Sequence, residues 1–456
     1  MNNSSIKLIM RVAAFLAVAA ATYFFFMRDA VDIGNADLSK EVLSFVRSDS
    51  EVDSSEQNSK EQLMAVPSSG VDPPLIELHN AALASLKQKK YRSAYQQMQQ
   101  LYQLEGTPSP KMAVNASRVA GHWARELQRE YKTEDALQVW RKAVEWHHDA
   151  GHPQLALARL LLRMTEVEQA LEVVVAGLSE FPEHVQLLML RGEIASLMGD
   201  SQLAVTQFKA AAALQPDDLA LAQRLTQLEI EARAFADYLS ASTSHFESSF
   251  DSQNPSMVRN IDDLQQDLEN AWLDVSGMLG IISDRRIVVL WLAAEDYQGQ
   301  APDWSAGIYD GRIRVVVDDY PERRPQLLAT LKHELTHALL HSTGIKLPTF
   351  IQEGLAQLYE PRPVERIRES YLVDDDLPSL EQLQGNWTSW TDNNQVQVAY
   401  AYALSLCDFV VEHYGDNAFV ILLDNMRHQD LLSAWQATFG VALSDSDKLH
   451  RQFLTE

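Results

Sequence analysis

Leu327, Leu328, Leu331, Leu335, Ala338 and Leu339 recur near a period of 3.6 residues, and Ser342-Thr343-Gly344 breaks the pattern. Residues 327–341 are therefore expected to form a helix with one apolar face. A shorter helical pattern follows in "LPTFIQEGLAQLYE", residues 347–360, opened by Pro348 and Thr349 and carried by Phe350, Ile351, Leu355, Ala356 and Leu358. The period changes on either side of this pair. Residues 257–279 and 397–426 have helical spacing, whereas 244–250 and 285–293 have the composition of strands. In 306–319, "AGIYDGRIRVVVDD", Asp310-Gly311 marks a turn leading into an alternating strand.

Upstream the pattern repeats. Ala136, Ala170 and Ala204 are 34 residues apart, as are Pro182 and Pro216, and "KKYRSAYQQM" around Ala94 is an earlier unit displaced by an insertion. This period resembles the tetratricopeptide (TPR) repeat, in which a small residue lets the second helix of each hairpin pack close to the first. The resemblance covers roughly residues 75–220 and implies a concave surface for a protein or peptide partner. A helical spacer that holds the C-terminal region at a distance is the alternative.

At the N-terminus, "VAAFLAVAAATYFFFM", residues 12–27, is an uncharged run preceded by Lys7 and Arg11 and followed by a predominantly acidic segment. Its length, with Arg11 and Arg28 snorkelling, suits an uncleaved signal anchor. The charge asymmetry directs the N-terminus to the cytoplasm and the bulk of the chain to the periplasmic or extracytoplasmic side of the inner membrane. A cleaved signal peptide is the competing reading, but no convincing small-x-small site follows the apolar run. Residues 28–74 are rich in Ser, Asp and Glu, lack periodicity and read as a disordered linker. A net charge of −25 disfavours nucleic-acid binding, which needs Lys and Arg in excess. The single cysteine, Cys407, rules out an intramolecular disulfide framework.

The candidate chemistry lies on the first helix described. His333 and His337 are four residues apart and return to one face, where two imidazoles can converge on one ion. With Glu334 they make H-E-x-x-H, the pattern in which two His bind zinc and the Glu is general base toward a water. A catalytic zinc requires a third protein ligand. Glu353 lies 16 residues beyond His337 on the mostly apolar second helix, where a carboxylate is costly to bury unless it is paired or bound to metal. His341 is two turns from His333 and is expected to have no metal role.

"HELTH" followed by "FIQEGLAQLY" resembles the gluzincin metallopeptidases, most closely the peptidase MA-like domains. The resemblance implies Zn2+ held by His333, His337 and Glu353, with Glu334 as base. Metzincins would need Gly at 340 and His at 343, where this chain has Leu340 and Thr343. Thermolysin-like relatives often carry an acid four residues after the ligand Glu to support a ligating His; here the residue is Gln357, whose amide oxygen is expected to accept that hydrogen bond. The family also places a strand at the sheet edge above the zinc, and the resemblance gives the strand in 306–319 that place, with an ordinary sheet strand as its alternative. It often begins the helix ending in Tyr-Gly with a Tyr, which makes Tyr400, 14 residues before Tyr414, the candidate oxyanion donor, with core packing as its alternative. Tyr402 is two residues off that pattern.

The expectation is thus a multidomain chain: a cytoplasmic stub and membrane helix (1–27), a linker (28–74), an all-α TPR solenoid (75–235) and an α+β thermolysin-like zincin domain (236–456). The expected function is membrane-anchored peptide hydrolysis, with repeats that recruit substrate or partner proteins. The alternative is a tethered scaffold with an inactive zincin domain.

Overall fold

The computed structural model describes residues 73–105, 109–146, 151–283, 285–297, 306–361, 363–372, 377–385, 387, 390 and 392–455. The expected membrane helix and linker, residues 1–74, lie almost wholly outside them, and among the described residues no helix is long and apolar enough to cross a membrane.

The N-terminal half is helical: α1 (Pro73–Lys87), α2 (Tyr91–Glu105), α3 (Pro110–Arg129), α4 (Thr133–Trp146), α5 (His152–Arg163), α6 (Val167–Glu180), α7 (Val185–Leu197), α8 (Ser201–Leu214) and α9 (Leu219–Ala234). Successive helices pair as hairpins, α1 with α2, α3 with α4, α5 with α6 and α7 with α8. The phase-setting alanines Ala94, Ala136, Ala170 and Ala204 fall on the second helix of each pair and are all fully buried. The sequence period is thus a period of buried packing positions. The hairpins share one continuous core, the arrangement of an all-α solenoid.

The C-terminal half is built on a small mixed sheet ordered β1-β2-β3-β5-β4. The strands are β1 (Tyr238–Ser242), β2 (Phe246–Asp251), β3 (Ile287–Leu292), β4 (Gly307–Tyr309) and β5 (Ile313–Val316). The long helix α10 (Pro255–Leu279) connects β2 to the parallel β3, the crossover that a parallel pair requires. Asn254 starts it by accepting from the backbone N–H groups of Ser256 and Met257. Alternate residues of β3 serve opposite faces: Val289 and Trp291 join the main core, Leu290 and Leu292 a smaller one with Tyr297.

The segment 306–319 differs from expectation. It forms a hairpin, β4–β5, turning at Asp310-Gly311, and the alternating strand β5 is internal, parallel to β3. The sheet edge is β4, the three residues before the turn. Burial is consistent with the internal place: Ile313 and Val315 are fully buried on one face of β5, and Arg314 between them is buried on the other. Strand β1, absent from the sequence reading, closes the other edge as a hairpin with β2.

After α11 (Ala294–Tyr297), the remaining helices are α12 (Arg324–Ser342), α13 (Thr349–Leu358), α14 (Val364–Tyr371), α15 (Leu380–Gln384), α16 (Asn393–Tyr414), α17 (Ala418–Met426), α18 (Leu431–Phe439) and α19 (Leu443–Phe453). α12 ends at the expected stop, and α13 begins at Thr349 with Pro348 as its cap.

Candidate metal centre

α12 presents His333 and His337 on one face, and α13 packs back against it with Glu353. Gly354, the next residue, allows α13 to press onto α16. A Cβ there would lie 2.6 Å from the Ala403 carbonyl oxygen and closer still to Cys407 Sγ. The Glu-Gly pair is thus one device: the glycine sets the helix approach that delivers the carboxylate.

The three donor atoms form a compact triangle. His333 Nε2 and His337 Nε2 are 3.2 Å apart, and Glu353 Oε2 is 3.7 Å from the first and 3.6 Å from the second. Tetrahedral zinc with ligand distances of roughly 2.0–2.2 Å spaces its donors by about 3.3–3.5 Å, so this triangle fits such an ion. The side chains are only 15–19% exposed, so the donors are largely shielded from bulk water. Among the described residues this is the one group of His, Cys, Asp or Glu with metal-binding spacing.

The expected role of Gln357 is overturned. Its amide donates to the backbone carbonyls of Glu353, 3.1 Å, and Tyr400, 3.0 Å, and so laces α13 to α16. The partner of His333 is Glu360, whose Oε1 lies 2.5 Å from Nδ1. An Nδ1 proton shared with a carboxylate fixes the tautomer and leaves the Nε2 lone pair directed into the triangle. Glu360 is not in the sequence reading: it lies past the end of α13 at Leu358, so no helical spacing from Glu353 marks it.

The electrostatics favour a cation here. Burial alone would lower the pKa of His333, but Glu360, then Glu334 and Glu353, overturn this and raise it to about 9. Whatever satisfies these carboxylates carries positive charge. Glu334, 6% exposed, has its pKa raised, first by burial and further by Glu353 and Glu360, against the lowering pull of the two imidazoles. It lies under the sheet edge: a Cβ on Gly307 of β4 would come within 3.1 Å of Glu334 Cγ and 3.2 Å of its Oε1. Only glycine lets the edge strand come this near the carboxylate.

His341 stands apart from the triangle as expected. Its Nδ1 is 3.0 Å from the Tyr309 hydroxyl, which ties α12 to β4. Tyr400 does not begin its helix, since α16 starts at Asn393, and its ring stands edge-on to Trp387 at 4.7 Å. Tyr402 is fully buried and donates to Asp447 at 2.5 Å, a packing role. Cys407 is buried, and burial pushes its thiol far up from its usual range, so it is unreactive.

No family model matches the chain, and no curated protein matches it. Among solved structures it is similar to one described as "MamA RS-1 ArsTM double mutant", at 14% identity and a TM-score of 0.29, over 36% of this chain and 86% of that one. A likeness at that level carries no functional argument.

Proposed function

We propose that the chain is a zinc-dependent metallopeptidase of the gluzincin type, whose helical repeats resemble TPR units and recruit protein substrates or partners. The supporting observation is the His333–His337–Glu353 triangle with Glu334 buried beside it. His333, His337 and Glu353 would hold the ion, and Glu360 would keep His333 in the ligating tautomer. Bound there, zinc would polarise a scissile carbonyl and make water acidic enough to deprotonate near neutral pH. Glu334 would take a proton from the attacking water and pass it to the leaving amine as the C–N bond breaks. Burial raises its pKa above the usual carboxylate range, which strengthens it as a base.

The edge strand β4 offers an extended peptide a backbone to pair with beside Glu334. Tyr400 remains the oxyanion donor on the resemblance alone, since its helix begins at Asn393 and its ring packs on Trp387. In the solenoid, a cavity of about 370 Å³ between α2, α3 and α4 is lined by Arg92, Tyr95, Trp123 and Lys132 and is the natural seat for a partner segment. Residues 12–27 would anchor the chain, with its bulk outside the cytoplasm.

The decisive experiment is metal analysis of the purified protein beside Glu334→Gln and His337→Ala. One zinc in wild type and in Glu334→Gln, with little in His337→Ala, is the expected result. Equal metal in all three would overturn the ligand assignment.

A further inference from the structure

Outside the metal centre, the most completely buried charged cluster joins the two halves of the molecule. Glu231, near the end of α9 in the repeat region, is 6% exposed. Its Oε2 accepts from Arg312 at 3.0 Å, and its Oε1 from Arg314 at 2.5 Å. Arg314 also donates to Asp310 at 2.7 Å. These side chains are all no more than 10% exposed. Burial alone would raise the pKa of Glu231, but Arg312, Arg314 and Arg224 hold it well below the carboxylate range. Arg224, also on α9, completes the cluster by gripping Glu193 of α7 through two hydrogen bonds, at 3.0 and 2.8 Å.

The arginines belong to the hairpin that carries the sheet edge. Asp310 and Arg312 form the turn, and Arg314 on β5 is the register partner of Ile308 on β4. One residue before Ile308 stands Gly307, against Glu334. Side chains from the repeats therefore set where β4 lies relative to the base. The same half of the chain reaches the end of α12 as well: Thr165 donates to the Ser342 carbonyl at 3.3 Å, and Arg285, just before β3, pairs with Glu166 and Glu168.

We infer that Glu231 is a positioning residue for peptide hydrolysis: the repeat region, through Glu231, Arg312 and Arg314, holds edge strand β4 in register with Glu334 for substrate pairing. This rests on the peptidase reading above. A buried carboxylate gripped by two guanidiniums at close range is directional, because each guanidinium donates only in its own plane. Losing that charge releases the hairpin while leaving the zinc ligands on α12 and α13 in place.

The test uses the full chain, zinc-loaded, as wild type, Glu231→Gln and Glu231→Asp. Backbone hydrogen exchange is followed across residues 306–316, with β1, paired with β2 at the far edge of the sheet, as internal control. Cleavage of a quenched-fluorescent peptide gives kcat and KM separately. Glu231→Gln is expected to keep its zinc, to exchange at least tenfold faster at 306–316 than wild type with β1 unchanged, and to raise KM more than it lowers kcat. Glu231→Asp, which retains the charge, should fall between. If exchange at 306–316 is unchanged in folded, zinc-bound Glu231→Gln, or rises equally in β1, the inference is overturned. If Glu231→Gln does not fold, Glu231→Asp decides by the same criteria. Faster exchange confined to 306–316 in a protein whose wild type cleaves nothing would retain the coupling and remove the peptidase reading.

Discussion

Two buried clusters in this molecule both set carboxylates against basic side chains, with different partners and different balances of charge. Around Glu231, three acids (Glu193, Glu231, Asp310) face three guanidiniums (Arg224, Arg312, Arg314) in close pairs. Charge is balanced there, and no donor set converges on a common point. Around His333, three carboxylates (Glu334, Glu353, Glu360) face only two imidazoles, and three of the donors aim at one point. Charge balance makes a joint. A carboxylate excess with convergent lone pairs makes a site for a cation.

That contrast can be broken experimentally, and the largest effect should come at the base. Glu334→Gln keeps shape and metal but removes the proton acceptor, so kcat should fall by about 10²–10⁴ with zinc content unchanged. Full activity in that variant would end the enzymatic reading in favour of a scaffold. Next is the joint. Glu231→Ala strands two buried guanidiniums and should lower stability by roughly 3–5 kcal/mol in denaturant titration, with zinc stoichiometry retained. A loss below about 1 kcal/mol would mean that the balanced cluster is not the joint described here.

A smaller effect is expected behind the metal. Glu360→Gln weakens the grip on His333 Nδ1 and should reduce zinc affinity by about 10–100-fold, measured by chelator competition. Unchanged affinity would show that the tautomer is fixed by another group. The last effect is read against pH, at a third cluster around a buried neutral imidazole. His450 is fully buried, with Nε2 2.8 Å from Ser405 Oγ. Burial, then Arg368 and Arg451, lowers its pKa to about 3. The folded state thus binds the proton more weakly than the unfolded one, whose imidazole titrates near 6.5. Stability contributed by the neutral ring is full above pH 6.5 and is lost progressively as pH falls toward 3. The unfolding midpoint should drop over that window, and His450→Gln should flatten the slope without altering zinc binding. An equally steep slope in the variant would place the acid sensitivity elsewhere.

The sequence by itself determined what depends on spacing along one chain. Ala94, Ala136, Ala170 and Ala204 announced the helical repeats, because a packing contact repeated at a fixed interval must appear as a residue repeated at that interval. His333 and His337 were legible for the same reason, since one helical turn brings them together. The turn at Asp310-Gly311 and the extents of α12 and α13 were likewise local. What only the tertiary structure decided are relations between elements. Glu360, not Gln357, meets His333, because Glu360 lies past the end of α13 at Leu358, where the path of the chain and not a helical spacing places it. β4 rather than β5 is the edge, because strand order follows from pairing, and no single strand encodes its neighbours. Glu231 and Arg314 are 83 residues apart and meet only once the last repeat helix docks on the sheet. A buried ion pair needs both partners desolvated at the same place, and the sequence records each partner without recording the place.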